Sequence, residues 1–585
     1  MLIRNVATTM VVVSLCACGG GGGRDNTAGG APTTTDDATS DVEAQRHRGG
    51  MPTMPIIGTP GTGTPITGTP TTGTPTTGTP TTGTPGTGPT QPVTQASFQS
   101  LALLADADGN PNDLSATYNL TAEANVPVQV TAPAATWTTP MMRYNGMQLP
   151  PVIKAKRGAN VTVNFRNNLA EPTTIHWHGF KIPGSVDGGP DSPIAPGASF
   201  TYNFQLNQPA GSLWFHPHAE GTTATQVYAG LAGAFVVTDD ITDMLEANKN
   251  LPSGNQDVPL LIQDRTFGDA AVGTNVRPLL YSSMMGMPML GRDLLVNGVI
   301  EPTLNVETRQ YRLRLYNGSN ARTYVLRLSN GATFQVIGTD GGLLAAPVSR
   351  SYVTLAPSER VELWVDFSSR AAGEEIGLVS LPFAASSGGG GMMGGGMMGG
   401  GSGPAQGSGF PVLKVRVGQG AAVSEKLPEK LASMPALRPE QAHNVNNPRV
   451  IRVTASGMRW SLNGRVFEME GVAPDEIVRM GTTEVWEFIN EAGMHMMGAM
   501  PHPLHVHGVQ FRIIDRRVHP SAMAAWRSVS DGHVDEGWKD TVLVMPGERV
   551  RVLMRFESYP GLFLYHCHNL EHEDMGMMRN FLIKV

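Results

Sequence analysis

Cysteine is almost missing from the body of this chain. Three occur in 585 residues, and two of them, Cys16 and Cys18, fall in the first eighteen. Cys567 therefore has no intrachain disulfide partner in the body of the protein, and a disulfide framework is excluded. Charge is sparse as well: charged residues make up 16% of the chain, the formal net charge is −7, and no basic block stands out. Nothing here offers an electrostatic footprint for DNA or RNA, so nucleic acid is excluded as a partner. Also missing are an apolar run long enough to span a bilayer as a permanent helix and any long segment of helical period.

The nearest approach to an apolar run is the N-terminus, MLIRNVATTMVVVSLCACGGGGG, where Arg4 precedes a short stretch that ends in small residues. That is the layout of an export signal. Leu15-Cys16-Ala17-Cys18 resembles the lipobox of bacterial lipoproteins, which implies cleavage before Cys18, a lipid on its sulfur and a membrane tether; a plain secreted signal is the alternative. Either way the mature protein is expected in the periplasm or cell envelope. Residues 1–17 are read as the signal and 18–95 as a Gly/Thr/Pro linker, with GTPTT repeats between Gly58 and Pro85. So few apolar side chains cannot offset the entropy of ordering, which predicts an extended, disordered tether.

What the remainder does contain is alternation. Val161-Thr162-Val163-Asn164-Phe165, Tyr311-Arg312-Leu313-Arg314-Leu315 and Val550-Arg551-Val552-Leu553-Met554-Arg555-Phe556 all follow a period of two. One punctuation recurs, APGASFTYNF from Ala195, APSERVELWVDF from Ala356 and MPGERVRVLMRF from Met545, each a proline turn feeding an alternating strand. A second recurs upstream of each, as VTVNFRN, YRLRLYN and EVWEFIN, ending at Asn167, Asn317 and Asn490. Repeats about one domain length apart predict an all-β chain of three homologous β-sandwiches, at 96–243, 256–420 and 428–585.

Histidine is where the chemistry gathers. Ten of the 15 histidines fall in four clusters: His176-Trp177-His178-Gly179, His216-Pro217-His218, His502-Pro503-Leu504-His505-Val506-His507-Gly508, and His566-Cys567-His568 with His572. On a strand, residues two apart share a face, so each H-x-H pair presents two imidazoles in one direction. Cys567 must then point opposite to His566 and His568, and His502 opposite to His505 and His507. One face collects imidazoles alone; the other collects Cys567, His502, His572 from the following loop, and Met577. Two histidines, a thiolate and a weak thioether are the ligand set of a blue-copper electron-transfer centre. Zinc also takes His and Cys, but one cysteine among ten histidines matches neither its closed structural sites nor a three-ligand catalytic one.

Together HWHG, HPH, HPLHVHG and HCHNLEHEDMGM resemble the four copper signatures of the three-domain multicopper oxidases. VDGGPDSPIAPG and RLRLYNGSNART are similar to connecting segments of the bacterial copper-efflux oxidase and laccase branch. The resemblance implies three cupredoxin-like Greek-key β-sandwich domains and four copper ions, one type 1, one type 2 and two type 3. By that resemblance His502, Cys567, His572 and Met577 hold type 1 copper. His176 and His505 hold type 2, and His178, His216, His218, His507, His566 and His568 hold the type 3 pair. The implied reaction is one-electron oxidation of a donor coupled to four-electron reduction of dioxygen to water. Asp187 and Glu573 match the family's proton-relay carboxylates; the alternatives are a turn residue ahead of Gly188-Gly189 and an orienting partner of His572.

The donor is read from methionine. The expected second domain ends in a Met/Gly-rich insert, 386–403, whose glycines predict exposed thioethers at Met392, Met393, Met397 and Met398 in place of a packed core. Thioether sulfur prefers Cu(I), so cuprous ion is the leading substrate. Met500 matches a substrate-copper methionine of the family, although Gly498 stands where an acidic residue is expected. A laccase-like oxidase of phenols or aromatic amines is the alternative, and a copper-storage or structural cupredoxin protein is the alternative of another class.

Overall fold

A computed structural model of the protein describes residues 96–585 apart from 108, 110–113, 284–285, 386–402, 421–424, 457–458 and 492–499. The export signal, the linker, Cys18 and the insert methionines Met392, Met393, Met397 and Met398 lie outside the described residues. No helix among the described residues is long and apolar enough to cross a membrane.

The fold is all-β, as the alternating segments predict, and cupredoxin-like, as the resemblance implies. Asn160–Asn167 lies between Ser115–Ala132 and Ser199–Gln205, and its burial alternates along the strand as a half-covered sheet requires. Three large hydrophobic clusters mark three sandwich cores: one around Trp177, Phe215 and Phe235, one around Leu260, Leu315 and Leu363, one around Trp486, Phe511 and Phe581. Each such side chain, once buried, contributes about 1.5–3 kcal/mol. The first two cores share an eleven-stranded sheet that runs from Gly342–Arg350 to Ser199–Gln205.

One strand departs from its sequence pattern. YRLRLYN reads as half exposed, yet every residue of Gln310–Asn317 is buried. Its polar face meets protein instead of water: Arg312 and Arg314 bind Glu362, and Arg314 also binds Asp257 and the Ser212 hydroxyl of the first sandwich. Guanidinium forks can be buried where carboxylates satisfy them.

Two sheets carry the histidines. His176–His178 is the edge strand of a five-stranded sheet and pairs antiparallel with Gly211–His216. His502–Val506 lies between Thr541–Val544 and Gly561–Cys567 in a sheet of the third sandwich. A helix junction ties the two sandwiches beside them: the Asp574 carboxylate accepts from the Thr223 and Ala224 amides (3.1 and 2.9 Å), the first two of helix Thr223–Ala229.

Candidate metal centres

His502 opens its strand, Cys567 ends the neighbouring one, and His572 follows on the short helix Leu570–Asp574. The structure brings these three together, with both Nδ1 atoms facing the sulfur at 3.4 and 3.7 Å. The Met577 amide donates to the His572 carbonyl and the Cys567 amide to the Met577 carbonyl, so the loop folds Met577 back into the core that holds Cys567. Burial pushes the Cys567 thiol well above its usual value. A thiolate here therefore needs a bound cation. The Trp460 ring packs against both imidazoles, edge-on to His502 at 4.8 Å and tilted to His572 at 5.2 Å, and both histidines are fully buried.

On the other side of the same strands eight imidazoles converge. Strand register sets His176 opposite His216 and His505 opposite His566. His176 stacks on His507 at 3.9 Å and His178 on His505 at 3.8 Å, joining the two sandwiches ring against ring. His218, His507 and His566 aim their Nε2 atoms at one another, 3.3 Å and 3.0 Å from His566.

The other nitrogens explain the aim. Nδ1 of His176, His216 and His505 donates to the carbonyls of Asp187, Pro217 and Asp540 (3.0, 2.8 and 2.8 Å). Their Nε2 atoms are left buried with no partner among the described residues, as are both nitrogens of His568. His178 is reversed, with Nε2 on Asp540 Oδ1 at 3.0 Å and Nδ1 free. Each unpartnered buried group costs about 1–3 kcal/mol, a cost that a bound metal removes. Burial also pushes His178, His216, His505, His507 and His568 below the usual histidine value, so these imidazoles are neutral at physiological pH. Imidazoles beside a thiolate and a thioether fit copper.

Family profiles described as multicopper oxidase match residues 126–241 and 440–585. A laccase of Bacillus subtilis is 33% identical over 492 residues, spanning 75% of this chain and 90% of that protein. The chain belongs to the multicopper oxidases. A multicopper oxidase of Staphylococcus haemolyticus is likewise 33% identical over 444 residues, 74% of this chain and 82% of that one. The 2F4 variant of the McoA multicopper oxidase of Aquifex aeolicus superposes with a TM-score of 0.70 at 30% identity, covering 84% of this chain and all of that one.

Three buried carboxylates surround the oxidase's imidazole cluster. Asp187 ends the one-turn helix Gly184–Asp187, and its Oδ2 accepts from His507 Nδ1 at 2.7 Å while its carbonyl holds His176. Gly188 follows at φ 79°, where an added Cβ would lie 1.8 Å from the Ile175 carbonyl oxygen. The turn and the imidazole anchor are thus one feature, and only glycine permits it.

Glu573 lies 3.0 Å from His566 Nδ1 and 3.4 Å from His218 Nδ1, without an aligned hydrogen bond to either. It faces the cluster, away from His572, because consecutive residues of a helix diverge by about 100°. Burial alone would raise Glu573; the neighbouring His218 and His566 outweigh it and hold the carboxyl at about 2. Glu573 lines a cavity of about 150 Å³ together with His218, Glu220, Arg459 and Asp574.

The third carboxylate, Asp540, escaped the sequence reading. It sits in WKDTV, away from every histidine cluster in the chain, and only the fold brings it to His178 and His505. Met500 packs against the third core, and its carbonyl accepts from Asn490.

Proposed function

We propose that this oxidase couples oxidation of Cu(I) to reduction of dioxygen outside the cytoplasm, four cuprous ions and four protons giving two waters. One observation carries the two-centre reading. Cys567 faces His502 and His572, while its neighbours in the chain, His566 and His568, face the imidazole cluster, so a single peptide segment joins both sites. In this reading His502, Cys567, His572 and Met577 hold type 1 copper and His176 and His505 hold type 2. Of the type 3 ions, one takes His218, His507 and His566, whose nitrogens converge, and the other His178, His216 and His568. Bound copper supplies one-electron acceptance at the first site and electron delivery to dioxygen at the second. The chain's own part is to keep the imidazoles aimed, and to deliver protons through Asp187 and Glu573, the latter beside a cavity with room for water.

Two features favour Cu(I) as donor. The thioethers Met392, Met393, Met397, Met398 and Met500 suit a cuprous ion. Both type 1 imidazoles are fully buried against Trp460, which suits a small donor better than a bulky ring. The laccase reading draws on the name of the Bacillus relative. Domain boundaries at 96–243, 256–420 and 428–585 draw on the three cores, and a lipid on Cys18 on the lipobox resemblance alone.

The test is oxygen uptake by copper-loaded protein with Cu(I), Fe(II) and a phenol side by side. Cu(I) is expected to be fastest. A faster phenol overturns the substrate, and no uptake with any donor overturns the oxidase reading in favour of copper storage.

A further inference from the structure

The second sandwich contributes none of the clustered histidines, yet one of its side chains grips a carboxylate that holds the imidazole cluster. We propose that Arg360 is a positioning residue for the cluster, fixing through Asp540 the reversed orientation of His178. This rests on the reading of the eight histidines as a copper cluster.

Arg360 is 1% exposed, and all five of its guanidinium hydrogens are used. Nε donates to the Ser212 carbonyl of the first sandwich at 3.0 Å. One terminal nitrogen donates to the Ser358 carbonyl and to Asp540 Oδ1 (2.9 and 2.8 Å), the other to the Asp340 carbonyl and to Asp540 Oδ2 (3.1 and 2.6 Å). One side chain thus joins all three sandwiches at the strand that carries His216. Gripped at both oxygens, the Asp540 carboxylate cannot rotate, and Oδ1 is held 3.0 Å from His178 Nε2. The backbone carbonyl of Asp540 meanwhile takes His505 Nδ1. One fixed residue therefore presents adjacent stacked imidazoles with opposite nitrogens, Nδ1 of His178 and Nε2 of His505.

The glycine of HWHG supports this independently. Gly179 adopts φ +85°, and a Cβ there would lie 2.4 Å from Asp540 Oδ2 and 2.7 Å from an Arg360 terminal nitrogen. The motif leaves room for the ion pair directly behind its second histidine. Lysine cannot take the place of Arg360: it has three donors on a point charge and no fork to match a carboxylate.

The test compares copper-loaded wild type with Arg360→Lys and with a control, Arg312→Lys. Arg312 is equally buried on Glu362 but touches no histidine. The readouts are copper bound per chain, the paramagnetic resonance of type 2 copper, and the visible type 1 band. Arg360→Lys should weaken cluster copper about 10–100-fold, as loss of an outer-shell partner does, and leave the type 1 band in place; Arg312→Lys should leave both. An Arg360→Lys protein with an intact cluster overturns the proposal, as does equal loss in the control. If Arg360→Lys does not fold, imidazole 15N shifts of copper-free wild type decide: His178 carrying its proton on Nε2 supports the proposal, and a proton on Nδ1 overturns it. A wild type that lacks copper signals refutes the underlying cluster reading instead.

Discussion

Replacing Glu573 with glutamine keeps the shape of the side chain and removes its charge. The carboxylate is ionised, held at about 2 by His218 and His566 against the upward push of burial; both of its oxygens are buried without aligned donors, and the residue lines the cavity. If it relays protons, its loss belongs with general acid–base groups, about 10²–10⁴-fold. If it only orients His218 and His566, the cost is about 10–100-fold and falls on copper affinity as well. With Asp187 positioned at other imidazoles of the cluster, we expect the lower end of the relay range, about 100-fold or ~2.7 kcal/mol on the barrier. Oxygen uptake at saturating Cu(I) should fall by that amount with copper content unchanged. The type 1 colour should bleach normally when donor is added without oxygen and return slowly on aeration, with an enlarged solvent deuterium effect. Wild-type oxygen uptake in a fully loaded Glu573→Gln protein refutes the relay, and a loss matched by lost copper reduces Glu573 to an orienting role.

Three further outcomes are expected. Cys567→Ser should abolish the visible thiolate band, lower bound copper by about one ion per chain and stop turnover while the type 2 signal persists; a blue, active variant contradicts the two-centre reading. Deleting 388–401 should slow Cu(I) oxidation and spare or raise phenol turnover, and unchanged rates for both dismiss the methionine tract as a substrate element. Copper-free protein should lose stability in acid in two stages. Burial pushes His533 down to about 3, so below about 6.5 only the unfolded chain takes up its proton and stability declines. Glu362, which burial would raise, is held at about 2 by Arg312 and Arg314, so its contribution is present above about 4.3 and is lost as pH falls from there towards 2. Calorimetry should find Tm falling below pH ~6.5 and more steeply below ~4.3; a Tm that rises on acidification contradicts both assignments.

The chain's legibility followed the range of its contacts. Strand alternation is local, and it was enough to predict an all-β fold and to sort Cys567 from His566 and His568. The turn at Gly188 could be read for the same reason. Arg312 and Arg314 were misleading, because a period of two announces a polar face without saying whether water or another sandwich covers it. Asp540 and Arg360 carry no local mark at all: His178 and Asp540 are 362 residues apart, and Arg360 and Asp540 are 180 apart. Gly179 is the only trace of them in the motif, and its meaning emerges when a Cβ is set against the ion pair.

The stacking of His176 on His507 and of His178 on His505 has a bearing on biogenesis. Each ring pair joins an early segment to one made more than three hundred residues later, so no portion emerging first from a ribosome or translocon can assemble the eight-imidazole half. A polypeptide threaded through a membrane in extended form arrives without that half, and copper must then be captured on the far side, after the last strand has closed.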